Sequence, residues 1–388
     1  MDAAFLRPTW QLSAEVTQPW LFSTRNALSV RVFSHRRSVP GIVVDRGYGA
    51  SSTVTRELGR GISTSLTYRF ERTTVEAGDL YFCVNFGVCR DAIVEALRGS
   101  HKLSPLQLSA LVERSDDPLD PTRGWNATLE AEHASGATFS DFRYNRLMAE
   151  VRRYIPAGRG VLAMRFRAGW VRGTGGTARA VGVEDAGRTL LHPRKRFYSG
   201  GSSTVRGYGE NQLGPRILTI DPQRLISPSD STRGEPCTIE SIQTGECDPN
   251  LAPSDEFLPR PLGGSSVIGG SIEYRMPLGE SLVAAAFVDA ASVGDADLNV
   301  PPGARRAITP GFGIRYRSPI GPVRVDLGIR PALTEDLPVV TQIAGSDGEL
   351  RLVQLGTLKQ YDPVETSGGF LRSVVNRLQL HLSIGEAF

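Results

Sequence analysis

The segment Arg196-Phe-Tyr-Ser-Gly-Gly-Ser-Ser-Thr-Val-Arg-Gly-Tyr208 sets Arg206 inside a run of glycine and serine. Glycines at 200, 201 and 207 let a backbone pass close to another surface. The flanking sequence shows what kind of surface that is, because on both sides it is made of short alternating segments.

From Gly160 to Trp170, Leu162, Met164, Phe166, Ala168 and Trp170 fall on one face, and Val161, Ala163, Arg165, Arg167 and Gly169 on the other. The same period of two runs through Trp125/Ala127/Leu129/Ala131, Leu66/Tyr68/Phe70 and Val323/Val325/Leu327/Ile329, each opposed by a more polar set. Alternation suits a soluble β-sandwich as well as a lipid-embedded barrel. It fixes strands, and not yet their surroundings.

Composition removes other classes. The 388 residues hold 44 basic and 41 acidic side chains, a net charge of +3, which leaves no electrostatic footprint for nucleic acid. No run approaches the roughly 18 to 20 apolar residues of a helical span, so a helical membrane protein is excluded. A basic segment followed by an apolar stretch, as in a secretory signal, does not open the sequence.

Loop lengths separate the two all-β readings. Strands are expected near 9–18, 26–34, 42–57, 61–76, 105–115, 123–133, 142–155, 160–172, 264–276, 281–292, 306–317, 321–330 and 375–388. The long connections, about 77–104, 173–263 and 331–374, are separated by odd numbers of short ones and so emerge from one end. Short turns at one end and long loops at the other describe an outer-membrane barrel. The expected fold is therefore all-β, a single transmembrane antiparallel β-barrel domain over 1–388 with about 13 strands. Such barrels usually have even strand counts and both termini at the periplasmic end, so 13 implies strands upstream of Met1. The other reading is a miscount at Leu350–Leu358, which is placed inside the last long loop.

The last strand, from Asn376, alternates Leu378, Leu380, Leu382 and Ile384 and ends on Phe388, the form of a barrel-assembly signal or of an ordinary edge strand at a C-terminus. Gly385 is either a weak point in its pairing or an accommodation of a neighbour.

Together these segments resemble the C-terminal barrel of the BamA/TamA superfamily, the bacterial surface antigen family. The residues that carry the resemblance follow the family's order. They are Asp117-Pro-Leu-Asp-Pro-Thr-Arg-Gly-Trp125, Gly200–Tyr208, Phe287-Val-Asp-Ala-Ala291, Gly313-Ile-Arg-Tyr-Arg-Ser-Pro-Ile-Gly-Pro-Val-Arg-Val-Asp326 and Leu382-Ser-Ile-Gly-Glu-Ala-Phe388. Trp10-Gln-Leu-Ser-Ala-Glu-Val-Thr-Gln-Pro19 resembles the fourth of the family's sixteen strands. The resemblance implies that the 173–263 loop folds into the lumen and that Arg206 reaches Asp289 as a charge-assisted pair. Gly200, Gly201, Val205, Gly207 and Tyr208 form the loop motif, and Glu273, Arg275 and Phe287 face the same interior as supporting residues.

The same resemblance implies an integral protein of the bacterial outer membrane, surrounded by bilayer and lipopolysaccharide. It would insert unfolded outer-membrane clients through a seam between first and last strands, where unpaired backbone templates an incoming strand. Polypeptide translocation of the TamA or two-partner-secretion kind, and a passive pore or structural barrel, are the alternatives. Periplasmic or lipoprotein partners would accompany upstream repeats. No cofactor or metal site and no enzymatic set is expected: Gly173-Thr-Gly-Gly176 lacks the strand, helix and lysine of a phosphate loop, and no nucleophile has a base in a credible context.

Four cysteines fall in two close pairs, Cys83/Cys89 and Cys237/Cys247, each within one long loop. Disulfides in an oxidising envelope are expected, with free thiols or a metal as other readings. Asp91–Arg98 reads as about two turns of helix that cover a loop.

Overall fold

The computed structural model describes residues 9–39, 43–76, 82, 91–183, 190–229, 234–294, 306–318, 321–331, 334–344, 350–362 and 374–385. Alternation puts apolar side chains on one face of each segment, and short turns fold neighbouring segments together. Between Tyr144–Ala157 and Gly160–Gly173, for example, Gly158 takes a φ of 59°, the left-handed value that lets Ala157 pair with Gly160 across a two-residue turn.

Thirteen strands follow one another along one antiparallel sheet, which the family resemblance identifies as barrel wall. They are β1 (Trp10–Pro19), β2 (Asn26–Val39), β3 (Val43–Gly59), β4 (Ile62–Val75), β5 (Leu106–Glu113), β6 (Gly124–Ala134) and β7 (Tyr144–Ala157). The remainder are β8 (Gly160–Gly173), β9 (Ser266–Pro277), β10 (Leu282–Val293), β11 (Arg306–Ser318), β12 (Gly321–Ile329) and β13 (Leu378–Ile384). A two-residue segment, His101–Lys102, pairs with the end of β4 and completes the sheet. The ranges follow those expected within about two residues, except that β2 runs on to Val39 where its end was expected at 34, and the last strand starts only at Leu378, because 374–376 is helical. Among the described residues β1 and β13 do not pair with each other.

The outward faces carry Phe166, Ile272, Val288, Phe312 and Ile314, all exposed, as a lipid-facing wall requires. Among the described residues no helix is long and apolar enough to cross a membrane. Strands do the crossing, with backbone groups satisfied by their neighbours in the ladder.

The long connections are not plain loops. Leu258–Pro261, Arg216–Ile220, Val339–Ala344 and Leu350–Gln354 form a separate four-stranded sheet, and Glu335–Leu337 pairs with Lys359–Tyr361. Segments from the loop before β9 and the loop before β13 therefore share one small cap. Leu218, Leu225, Ile242, Phe257, Leu337 and Leu355 form its core. Leu350–Gln354 belongs here, paired to Val339–Ala344, and so is not a barrel strand. Asp91–Arg98 is helical and buries Val94 and Leu97 against Phe142, Tyr144 and Phe197, as a cover over the loop.

Candidate functional site

Sheet register assembles the site from four neighbouring strands. Ser271 on β9 lies opposite Asp289 on β10, Asp289 opposite Thr309 on β11, and Gly313 on β11 opposite Asp326 on β12. Because side chains alternate, Glu273, Arg275, Phe287, Arg315 and Arg324 share that inward face, and all are buried. Charges taken out of water in this number must neutralise one another.

The loop between β8 and β9 brings Arg206 into their midst. Its Nε donates to Asp289 Oδ2 at 2.8 Å and its Nη2 to Asp289 Oδ1 at 2.9 Å, a two-pronged contact. The backbone N–H of Arg206 adds a third bond to Oδ2, 2.9 Å. Nη1 reaches Glu273 Oε2 at 2.7 Å, and Asp326 Oδ2 lies 3.5 Å away. Ser271 Oγ receives Nη2 at 3.3 Å and itself donates to Asp289 Oδ1 at 2.6 Å. The guanidinium carbon sits 3.3 Å from the Phe287 ring centroid. Burial alone would pull this guanidinium's pKa down, but Asp289, with Glu273 and Asp326, holds it above the ordinary arginine value. Arg206 is therefore a fixed cation.

The strand carboxylates have further partners. Arg275 Nε donates to Glu273 Oε1 at 2.8 Å, Arg315 donates to the same oxygen, and Arg324 Nη1 donates to Asp326 Oδ2 at 2.8 Å. Three carboxylates thus face four guanidiniums. Loop carbonyls take up part of the excess: Arg165 Nη1 donates to Ser203 O at 2.7 Å and Arg324 Nη2 to Ser202 O at 3.4 Å.

Two glycines make this approach possible. A Cβ on Gly328 of β12 would lie 2.2 Å from the Arg206 carbonyl oxygen, so the loop rests directly on bare strand backbone. Gly207 has a φ of 129°, a conformation open to glycine and costly for other residues. Val205 and Tyr208 bury into a small apolar cluster with Leu213, Ala291 and Ala307. Gly201 closes the loop on itself, its N–H donating to Tyr208 O at 3.0 Å, while Gly200 exchanges bonds with the Thr204 hydroxyl.

The structure places the remaining expected residues as follows. Leu380, Leu382 and Ile384 point outward from β13, exposed. Gly385 lies just past the strand, with its N–H on Pro322 O at 2.8 Å and its carbonyl on Arg324 Nε at 2.6 Å. Both bonds tie it to β12. Phe388, Cys83 and Cys89 lie outside the described residues. Cys237 and Cys247 form a disulfide inside the cap core. Sequence reasoning missed Ser271, Arg165, Arg315, Arg324 and Asp326 as members of the site. Alternation along Gly313–Asp326 carried the signal for the last three, since they share the parity of the inward face.

A second cluster lies on the other side of the sheet order. His35, Asp45 and Glu71, on β2, β3 and β4, are fully buried and bring one potential metal-ligand atom each within 4.8 Å of one another. Arg194 and Arg69 already neutralise the two carboxylates there.

A family model for the Omp85 superfamily domain matches residues 7–342. The chain belongs to the Omp85 superfamily. It is thus an integral outer-membrane β-barrel protein, in a family of insertases and translocation channels rather than enzymes. The solved structure of BamA from Haemophilus ducreyi lacking POTRA domains 1–3 is similar at 16% identity and a TM-score of 0.59, over 89% of this chain and 60% of that one. CdiB from Acinetobacter baumannii is similar at 11% identity and a TM-score of 0.43, over 89% of this chain and 49% of that one. This Omp85 chain accordingly spans 60% of the length of the first of these structures, whose likeness shows the shared fold.

Proposed function

We propose that this chain is the barrel of an outer-membrane assembly factor that inserts unfolded β-barrel clients into the bilayer. The observation that supports this most is the filled interior, with the Arg206 loop held against the wall of a barrel of this family. The Arg206 loop is latched to β9–β12, while among the described residues β1 and β13 each pair on one side only. A filled lumen leaves the seam between first and last strands of the whole barrel as the route for an incoming strand, whose backbone donors and acceptors pair with an opened edge there. The outward face of the last strand, β13, carries exposed Leu380 and Leu382, so a client strand at that seam could pair while staying in lipid. Bilayer and lipopolysaccharide surround it in this reading, with periplasmic or lipoprotein subunits as assembly partners.

The test is reconstitution of the full protein in liposomes with a urea-unfolded outer-membrane barrel as client. Folding is read by heat-modifiable gel mobility. A severalfold faster client folding than in empty liposomes is expected, and its loss in Arg206→Ala. Ion conductance in planar bilayers without accelerated folding would identify a pore instead, and passage of an unfolded polypeptide into the liposome would identify a translocation barrel.

A further inference from the structure

We propose that Arg194 is a second fastening of the lumenal loop to the barrel, releasable independently of the Arg206 latch. This goes beyond the assembly reading and does not depend on it. Arg194 lies in a single turn of tight helix, Pro193–Lys195, ahead of the glycine-rich segment. That turn is held from below: the buried His192 stacks edge-on against Phe142 at 4.9 Å, and its Nδ1 accepts the Arg194 backbone N–H at 3.3 Å. Tyr198 Oη donates to Pro193 O at 3.1 Å. The guanidinium is therefore aimed by the fold rather than left to search.

It is aimed at the β2–β4 cluster. Nη1 lies 2.8 Å from Asp45 Oδ2 and Nη2 donates to Glu71 Oε1 at 2.9 Å, with both carboxylates fully buried. His35 Nε2 is 3.2 Å from Nη1. Around them, Thr73 Oγ1 donates to Asp45 Oδ2 at 3.2 Å and Arg69 Nε to Glu71 Oε2 at 2.7 Å. Gly47 forms the floor, since a Cβ there would come within 2.6 Å of Glu71 Oε1. Next along the loop, Lys195 Nζ donates to Glu132 Oε1 on β6 at 2.5 Å. Two buried carboxylates on adjacent strands repel each other unless cations are supplied, and one of the two comes from the loop, 123 positions from Glu71.

The fastenings differ in kind. Arg206 makes a two-pronged contact with one carboxylate and its side chain is 2% exposed, whereas Arg194 divides its two amines between two carboxylates and its side chain is 14% exposed. In sheet order β5–β8 separate the strands they grip, so the loop acts as a strap between β2–β4 and β9–β12. The Arg194 end has more contact with water and is the end that lets go first.

Cysteine reporters in the full protein, reconstituted in liposomes, test this with a membrane-impermeant maleimide, each against the same protein without the added cysteine. Ser199→Cys reports on the Arg194 side and Val205→Cys on the Arg206 side, both at buried positions. Arg194→Ala is expected to raise the labelling rate at the first reporter at least tenfold and at the second less than twofold. Removing the wall carboxylates instead, Asp45→Asn with Glu71→Gln, should reproduce that pattern, and adding Arg194→Ala to this pair should change nothing more. Arg194→Lys should fall between. Should Arg194→Ala fail to fold, as read by strand circular dichroism and heat-modifiable mobility, the Lys and wall variants carry the test. Unchanged labelling at Ser199→Cys, or an equal rise at both reporters, overturns the proposal.

Discussion

The wall formed by β9–β12 and the margin formed by β1 belong to one sheet, yet they treat charge in opposite ways. On the wall, Glu273, Asp289, Asp326, Arg206, Arg315 and Arg324 are almost completely withdrawn from solvent, and each carboxylate is bound by at least one guanidinium, Asp289 by Arg206 through three bonds. On the margin, all ten residues of β1 are exposed, and Glu15 meets Arg31 in a pair open to water. The contrast teaches where this fold concentrates its rigidity. Desolvated, multiply bonded charges fix geometry strongly, while solvated pairs contribute little to it.

The sharpest way to break the contrast is Asp289→Ala. It strands Arg206 and Ser271 in a buried site and should cost about 3–5 kcal/mol of loop and wall stability. The expected signs are a lower urea midpoint and rapid proteolysis in the 173–263 loop; a protease pattern identical to the parent protein would show that the pair does not hold the loop. Replacing Cys237 and Cys247 with serine opens a short covalent loop, with an expected loss of about 2–3 kcal/mol. That loss should be confined to the cap, read as faster proteolysis there with heat-modifiable barrel mobility unaltered. A simultaneous fall of barrel stability would mean that cap and wall unfold together.

Gly328→Ala tests close approach without touching any charge. The new methyl would collide with the Arg206 carbonyl, and overpacking of this kind costs about 1–3 kcal/mol. Impermeant maleimide should then label Val205→Cys faster than in the parent, and an unchanged rate would mean that the loop yields at no cost. The smallest effect belongs to the margin. Glu15→Gln removes a fully exposed partner of Arg31 and should leave the urea midpoint unmoved at physiological salt, since solvent and ions already screen the pair. A clear drop there would erase the distinction between wall and margin.

Most of the wall was legible because alternation is a local property. The inward parity of Phe287, Asp289 and Ala291 follows from the outward parity of Leu282, Ala284, Ala286, Val288 and Ala290, and needs no partner strand to establish it. The Arg206 to Asp289 contact was reachable only through family resemblance, since 83 positions separate the two and nothing in their spacing joins them. The cap was not legible. Its sheet joins Arg216–Ile220 to Val339–Ala344 in parallel, a pairing between two loops whose short, mixed segments carry no periodicity long enough to announce strands. Arg194 was missed for a related reason: it sits in a loop with no motif of its own, and its acceptors lie on strands far earlier in the chain.

By itself the sequence determined the strands, their facing, the end from which long loops emerge and the absence of helical spans, because each depends on neighbours within a few residues or on loop length. Tertiary structure alone decided which charges meet. Register across β9–β12 and across β2–β4 gathers carboxylates from separate strands into two desolvated clusters, and one loop then supplies a guanidinium to each. Ionic partnership in a low-dielectric interior is set by distances of a few ångströms in space, and chain separation says nothing about those.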